Sequence, residues 1–244
     1  MNRGIKNEYN IVKAFNNKKF FELNDFQKKL IKYLYNQIKE DDLIIADICS
    51  RLAKPDIYFC VKGVIKFISV KSGKTDSVHF EGIKPFVLFL RKNNISARVQ
   101  KLLLFFHYGD GTLDGTGKIR MDFEKLSTKY YDFIKEINDA FKDKNIVYQS
   151  LIRTVFNGSE GRSSYADYIY HGNENYGILV SKTRLINYVL NKSYDYYRNI
   201  HIGPLVLQPY LRDIKRKSKN QFKKHIIQVK WYYLLSDLEK LNEL

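Results

Sequence analysis

The sequence predicts an α/β protein, and three observations support this fold class. Apolar residues recur at helical spacing in 5–20 and again in 25–40. Apolar residues alternate on both sides of Gly63 within 54–74, which is typical of a β-hairpin. A long amphipathic stretch follows at 122–142. Helices and strands therefore occur in mixed order along the chain, which indicates a central sheet flanked by helices.

The remaining elements follow from local patterns. In the hairpin, Ile57, Phe59 and Val61 form the first strand and Val64 to Val70 form the second. The segment 77–92 is predicted to begin as a helix despite Pro85, which a helix tolerates only in its first turn. Asp122 is a predicted cap of the helix that follows it. A further helix is predicted at 145–156, a strand or short helix at 176–190, and strands at 99–109, 165–171, 200–216 and 224–234. No linker-like composition divides the chain, so we predict a single domain over 1–244.

The composition is typical of a globular protein that folds without disulfide bonds or structural metal ions. Its 244 residues are 44% hydrophobic, which is enough for a sizeable core. The two cysteines, Cys49 and Cys60, lack the spacing of a zinc site and are expected to be reduced thiols. The polar start of the chain does not resemble a signal peptide, and no apolar run approaches a membrane span of roughly 18 residues. We therefore expect a cytoplasmic protein.

The charge balance indicates a polyanionic partner. Lys and Arg number 42 against 26 Asp and Glu, giving a formal charge of +16. Such an excess attracts nucleic acid or an anionic membrane surface. No stretch combines a basic face with a long apolar face at helical spacing, which disfavours the membrane. Nucleic acid is the predicted partner.

Several familiar motifs are excluded by their chemistry. The glycine-rich loop from Gly109 is not a phosphate-binding P-loop, because Lys118 is followed by Ile119 rather than Ser or Thr. It is not a calcium loop either, because Met121 stands where a bidentate Glu is needed. A turn is the favoured interpretation. The five histidines are scattered without ligand pairs, which excludes a His-based zinc site.

The hairpin brings chemically active residues together. Ser69 and Lys71 share one face of the second strand, and Asp56 lies at the start of the first. A carboxylate and an amine at one sheet edge are typical of a metal-dependent hydrolase. The alternative interpretation is a surface hairpin with solvated charges.

These residues carry a resemblance to a known family. Pro-Asp at 55–56, twelve intervening residues and then Ser-Val-Lys resemble the signature of the PD-(D/E)XK nuclease superfamily. The helix "GIKNEYNIVKAF" with Glu8, the loop "GSEGRSSYADYIYHG" and the segment "IHIGPLVLQPYLRDIKRKSKNQ" resemble the type II restriction endonucleases of the MspI-like and HinP-type four-base cutters. The resemblance implies a restriction-endonuclease-like core, with a catalytic half at about 1–110 and a DNA-recognition half at about 111–244.

The resemblance also implies a catalytic site and a cofactor. Asp56, Ser69, Lys71 and Glu8 would be its catalytic residues, and Lys71 would orient or activate the attacking water. One Mg²⁺ would be held by Asp56, the carbonyl of Val70, waters and a DNA phosphate. Ser69 departs from the family pattern, which usually has Glu here, and this leaves the number of metal ions open. Further acids that would reach the site are Glu8, Asp47 or Glu81.

DNA-binding residues are predicted in three segments, and Gln208 is added as a neighbour of the last one. One follows the catalytic strand, one is a glycine-flanked loop near 162, and one is the basic run 212–221, where Arg side chains suit guanine and amides suit adenine. The predicted DNA contacts are Ser72, Lys74, Arg162, Ser163, Ser164, Gln208, Arg212, Lys215, Arg216, Lys217 and Lys219.

The function implied by the resemblance is that of a type II restriction endonuclease. It would hydrolyse phosphodiester bonds of double-stranded DNA at a short, palindromic site, as a monomer or homodimer paired with a DNA methyltransferase. A structure-selective nuclease such as a Holliday junction resolvase, or a DNA-binding protein with a decayed nuclease site, remains the alternative. Ser69 is the feature that favours the last of these.

Overall fold

The structure, a computed structural model, describes residues 3–50, 52–73, 76–117, 120–159, 163–194, 199–210 and 221–244. Within these residues the strands are β1 (Lys18–Lys19), β2 (Leu43–Ile48), β3 (Ile57–Val61), β4 (Val64–Lys71), β5 (Ser77–Gly82), β6 (Tyr168–Gly172), β7 (Gly177–Ser181), β8 (Ile200–Ile202), β9 (Leu205–Pro209) and β10 (Ile226–Lys230). The α-helices are α1 (Arg3–Phe15), α2 (Asp25–Leu34), α3 (Ile83–Lys92), α4 (Ala97–Tyr108), α5 (Phe123–Lys129), α6 (Tyr131–Ala140), α7 (Lys144–Leu151), α8 (Lys182–Leu190) and α9 (Leu234–Leu241).

The residues group into two compact units. Unit 1 comprises Met1–Thr75, Ile152–Tyr188 and Tyr233–Leu244, and unit 2 comprises Asp76–Leu151 and Val189–Tyr232. Both units therefore draw on segments from early and late parts of the chain.

Unit 1 is built on a six-stranded mixed sheet of order β1-β2-β3-β4-β6-β7. All neighbouring strands are antiparallel except β4 and β6, which are parallel. Helices α1 and α2 bury Ile11, Phe15 and Ile31 against Ile57 and Phe59 of the sheet. Helix α9 packs against β7. An α/β fold with a central mixed sheet flanked by helices is thus confirmed.

The sheet of unit 2 is antiparallel, with strand order β5-β10-β9-β8. Helix α3 packs on β5 and β10, α4 packs on β9, and α6 and α7 pack on β8. The fully buried Trp231 follows β10 directly. This unit therefore has its own core.

Helix boundaries follow from capping residues. The side chains of Asn24 and Gln27 reciprocally accept each other's backbone N–H at the start of α2. The predicted cap of α5 is present, since Asp122 Oδ1 accepts the Glu124 N–H at 2.9 Å. In the described loop before α5, Asp110 accepts the N–H groups of Thr112 and Gly117, which confirms the turn.

One strand prediction was wrong. The run at 99–109 lies in α4, which Ser96 caps and which ends at Gly109 with φ +59°. Val99, Leu103 and Phe106 are buried at helical spacing. The apolar run is therefore compatible with a strand or a helix, and the capping residues at its two ends favour the helix.

Two helix predictions need correction. The first residues of 77–92 form β5, and α3 begins at Ile83, with Pro85 inside its first turn. The predicted helix at 122–142 is broken at Tyr130, which has φ −115° and ψ 33°. The Tyr130 ring packs 5.0 Å from Phe105 and 5.2 Å from Phe133, so tertiary packing overrides the continuous pattern.

The other elements match their predictions in type, with shifted ends. α7 continues as a π-helical segment, Ile152–Asn157. The stretch 176–190 forms both a strand and a helix, β7 and α8, and 200–209 forms a hairpin of β8 and β9. The predicted strand continuation over 211–216 lies outside the described residues. Within the described chain, no helix combines the length and apolarity needed to cross a bilayer.

Candidate active site

Asp56 lies where β3 begins, between two neighbouring strands. Its N–H donates to the Ile68 carbonyl at 3.0 Å, and its carbonyl accepts the Cys49 N–H at 2.9 Å. The strand register pairs Ile57 with Ile68. Asp56 is therefore held by backbone hydrogen bonds on both sides, and its side chain shares a sheet face with Ser69 and Lys71.

A hydrogen-bond network joins the three predicted side chains. Asp56 Oδ2 accepts the Val70 N–H at 2.6 Å and the Ser69 hydroxyl at 3.1 Å. Lys71 Nζ donates to Ser69 Oγ at 2.9 Å and to the Val70 carbonyl at 3.1 Å, and lies 3.7 Å from Asp56 Oδ2. The predicted convergence of Asp56, Ser69 and Lys71 is observed. Their catalytic roles stay predictions.

The hydroxyl of Ser69 is buried, while the two charged side chains of this network are partly exposed. Ser69 is 1% exposed, and the side chains of Lys71 and Asp56 are 18% and 28% exposed. Ser69 Oγ donates to the carboxylate and accepts from the ammonium, so it positions both charges. A neutral residue thus occupies the place where the resembled family usually carries an acid.

Glu8 of α1 lies in the same electrostatic environment. Burial raises the pKa of Glu8, the negative charge of Asp56 raises it further, and Lys71 lowers it. Glu8 is therefore near enough to Asp56 and Lys71 for their charges to act on it, and its role in the site stays a prediction. The carboxylates of Glu8 and Asp56 and the ammonium of Lys71 therefore interact electrostatically.

We expect Glu8→Gln to stabilise the metal-free protein at neutral pH. Because the folded pKa of Glu8 is raised, the stability it contributes is complete at low pH and is lost as pH rises through the raised pKa. In a buffer with chelator, Glu8→Gln should have a higher Tm than wild type at pH 7, with the difference closing below the ordinary value of 4.5.

Glu40→Gln is the matched control for this measurement, because Glu40 is exposed and takes no part in the network. Its Tm difference from wild type should not follow the same pH profile. A Glu8→Gln protein less stable than wild type at pH 7 would show that the carboxylate is favourably paired instead.

Cys49 lies next to Asp56, and the charge of Asp47 also acts on its thiol. Burial raises the pKa of the Cys49 thiol to about 12, and the charges of Asp56 and Asp47 add to this effect. Cys49 is therefore a protonated thiol at neutral pH and not a nucleophile. Both Cys49 and Cys60 are free, as expected.

Glu81, another acid predicted to reach the site, belongs to unit 2. Its side chain is 4% exposed and Oε1 lies 3.3 Å from Nε2 of His79, which is equally buried. His79 and Glu81 lie two residues apart on β5, so their side chains share a face of that strand. Glu81 is engaged in a buried pair there.

The donor set fits a hard divalent cation with few protein ligands. Within the described residues, no group of three or more His, Cys, Asp and Glu side chains is arranged to hold a metal. The network contacts of Asp56 all end on Oδ2, so its Oδ1 is not engaged in them. Magnesium keeps several waters and commonly takes one or two carboxylates, which matches Asp56 with Glu8 nearby.

The predicted DNA-binding residues are distributed over both units. Ser163 and Ser164 contact the segment before Asp56, since the Ser163 N–H donates to the Leu52 carbonyl and the Ser164 carbonyl accepts the Lys54 N–H. Gln208 of unit 2 is 7% exposed, and a base contact would require its side chain to become exposed. Seven of the predicted contacts lie outside the described residues: Lys74, Arg162, Arg212, Lys215, Arg216, Lys217 and Lys219.

His171 is a neighbour of the site that sequence reasoning missed. The parallel pairing of β4 and β6 places its Cα opposite that of Lys71. Its ring Nε2 lies 3.0 Å from the Gly73 carbonyl, just beyond the end of β4. No local pattern marks this histidine, because its position depends on pairing between distant strands.

The chain matches no family model and no curated protein. Among solved structures it is similar to a crystal structure of the restriction endonuclease MspI in complex with its cognate DNA. The identity is 14%, the match covers 91% of this chain and 87% of that chain, and the TM-score is 0.48. A likeness of this strength assigns neither a family nor an activity to the chain.

Proposed function

We propose that the protein is a magnesium-dependent endonuclease that hydrolyses phosphodiester bonds in double-stranded DNA at a short specific site, as type II restriction enzymes do. The observation that carries this proposal is the network of Asp56, Ser69 and Lys71, with Glu8 beside it. A carboxylate and an ammonium held together where β3 begins and β4 ends suit a reaction on a phosphate anion.

Each residue has a distinct task in this proposal. Asp56, the Val70 carbonyl and Glu8 would hold the magnesium ion, which supplies charge neutralisation at the phosphate and a more acidic water. The Val70 N–H fixes the Asp56 carboxylate in one orientation. Two N–H groups of Lys71 donate to Ser69 Oγ and the Val70 carbonyl, and the third would orient the attacking water.

The charge of the chain supports DNA as the substrate. A formal charge of +16 favours binding to a polyanion at any sequence. Discrimination between sites needs contacts to base edges, which we assign to the predicted contacts near 162 and 212–219. A cytoplasmic restriction enzyme would need a methyltransferase partner that protects the host sites.

The test is incubation of the full chain with phage DNA and Mg²⁺, followed by sequencing of the fragment ends. We expect discrete fragments whose ends share one short sequence, and no cleavage once EDTA is added. A linear duplex should be cut at least as well as a four-way junction.

Two results would point to the alternatives. Preferential cutting of four-way junctions would identify a structure-selective nuclease. Tight DNA binding without cutting in Mg²⁺ or Mn²⁺ would identify a decayed nuclease, the reading that Ser69 favours.

A further inference from the structure

A polar cleft of about 360 Å³ lies beside the candidate active site within unit 1. Helix α1 forms one side with Arg3, Lys6 and Asn10, which recur at helical spacing. The other side is formed by Ser72 after β4 and by His171 of β6. None of the described residues that line the cleft is acidic. The cleft therefore presents only neutral or positive groups to a ligand.

Hydrogen bonds tie the walls of this cleft together. The Asn7 side chain donates from Nδ2 to the Gly172 carbonyl at 2.8 Å, which fixes α1 to the end of β6. His171 Nε2 donates to the Gly73 carbonyl at 3.0 Å, which fixes β6 to the residues after β4. A pre-formed cleft costs little ordering when a ligand binds.

The cleft adjoins the residues proposed for catalysis. His171 is the register partner of Lys71, and paired strands lie about 4.8 Å apart. Ser72 follows Lys71 directly, and Asn7 precedes Glu8. A ligand in the cleft would therefore lie next to the substrate group that faces Lys71.

We propose that this cleft binds a phosphate of the DNA backbone that neighbours the scissile phosphate, an inference that rests on the proposed function. Arg3 and Lys6 supply charge-assisted hydrogen bonds to phosphate oxygens. Helix α1 has no acid in its first turn, so the positive end of its dipole adds to the same field. Such a contact sets the register of the strand in the active site without reading its sequence.

The test measures DNA binding in full-length chains carrying Asp56→Asn, so that binding is separated from cutting. Arg3→Gln and Lys6→Gln each remove one charge from exposed side chains of the cleft. Each should weaken binding to cognate and random duplexes alike and reduce the salt slope by about one unit. Lys13→Gln is the matched control, because Lys13 is exposed on the same helix and does not line the cleft.

A scan with single methylphosphonate linkages locates the phosphate. Neutralising the contacted linkage should weaken binding by the protein with Arg3 and Lys6 intact, and should have little further effect in the double variant Arg3→Gln/Lys6→Gln. That linkage should lie directly beside the cut position of the wild-type enzyme.

Three outcomes would overturn the inference. Salt slopes equal to that of Lys13→Gln, while the wild-type chain binds and cuts DNA, would contradict the cleft assignment alone. A loss confined to cognate DNA would indicate a base contact instead of a phosphate contact. Absence of DNA binding by the wild-type chain would overturn the proposed function together with this inference.

Discussion

Asp56→Asn is expected to reduce DNA cleavage by on the order of 10³-fold or more while leaving the fold and DNA binding intact. The substitution removes the negative charge proposed to hold the metal. The amide oxygen of Asn can still accept the Val70 N–H that now bonds to Oδ2. Alanine would be a less clear probe, because Ser69 and Val70 would lose their acceptor at a cost of about 1–3 kcal/mol.

Asp25→Asn is the matched control for this experiment. Asp25 is an exposed aspartate in the first turn of α2, in the same unit, and its loss removes the same charge. Cleavage rates are compared at saturating Mg²⁺ with Tm and DNA affinity measured alongside. Cleavage by Asp56→Asn at the rate of the Asp25→Asn control would contradict the assignment of the active site.

The residues of this site that could be predicted from the sequence are those positioned by local geometry. The hairpin of β3 and β4 was predictable because its strands alternate and its turn contains Gly63, which has φ +79°. Lys62, the other turn residue, also has a positive φ, of 51°, and such two-residue turns set the register of a hairpin. That register places Ser69 beside Asp56. Period-two alternation then puts Lys71 on the same face.

Contacts between distant segments were not predictable. The Asp167 carboxylate accepts the Phe67 N–H across a separation of 100 residues, and β6 pairs with β4 over the same interval. Hairpin patterns give no information about which distant strand will pair in parallel. His171 therefore escaped notice, and so did the cleft it forms with Arg3. Glu8 was anticipated only through the resemblance.

The errors in secondary structure have a related cause. The apolar run in α4 is compatible with a buried strand or a buried helix, and Ser96 and Gly109 are the local signals that select the helix. In 122–142 the periodicity is continuous, but packing of Tyr130 against Phe105 breaks the helix. Sequence periodicity predicts which face is apolar more securely than where an element ends.

Lys71→Met is expected to lower the cleavage rate by about 10²- to 10⁴-fold, the range for a positioned group that assists proton transfer. Methionine keeps a side chain of similar length and removes the ammonium that contacts Ser69, Val70 and Asp56. Because it also removes a positive charge facing two carboxylates, the pKa of Glu8 should rise further.

Lys66→Met separates this effect from a general loss of charge. Lys66 lies on the same strand, and its odd spacing from Lys71 places it on the opposite face. It should cleave at the wild-type rate. Lys71→Arg should remain impaired, because the planar guanidinium cannot occupy the position of a compact ammonium bonded to both Ser69 and Val70. Single-turnover cleavage at saturating enzyme measures all three variants. Equal rates for Lys66→Met and Lys71→Met would show that Lys71 contributes no more to cleavage than a lysine on the opposite face, and the water-orienting role proposed for it would be wrong.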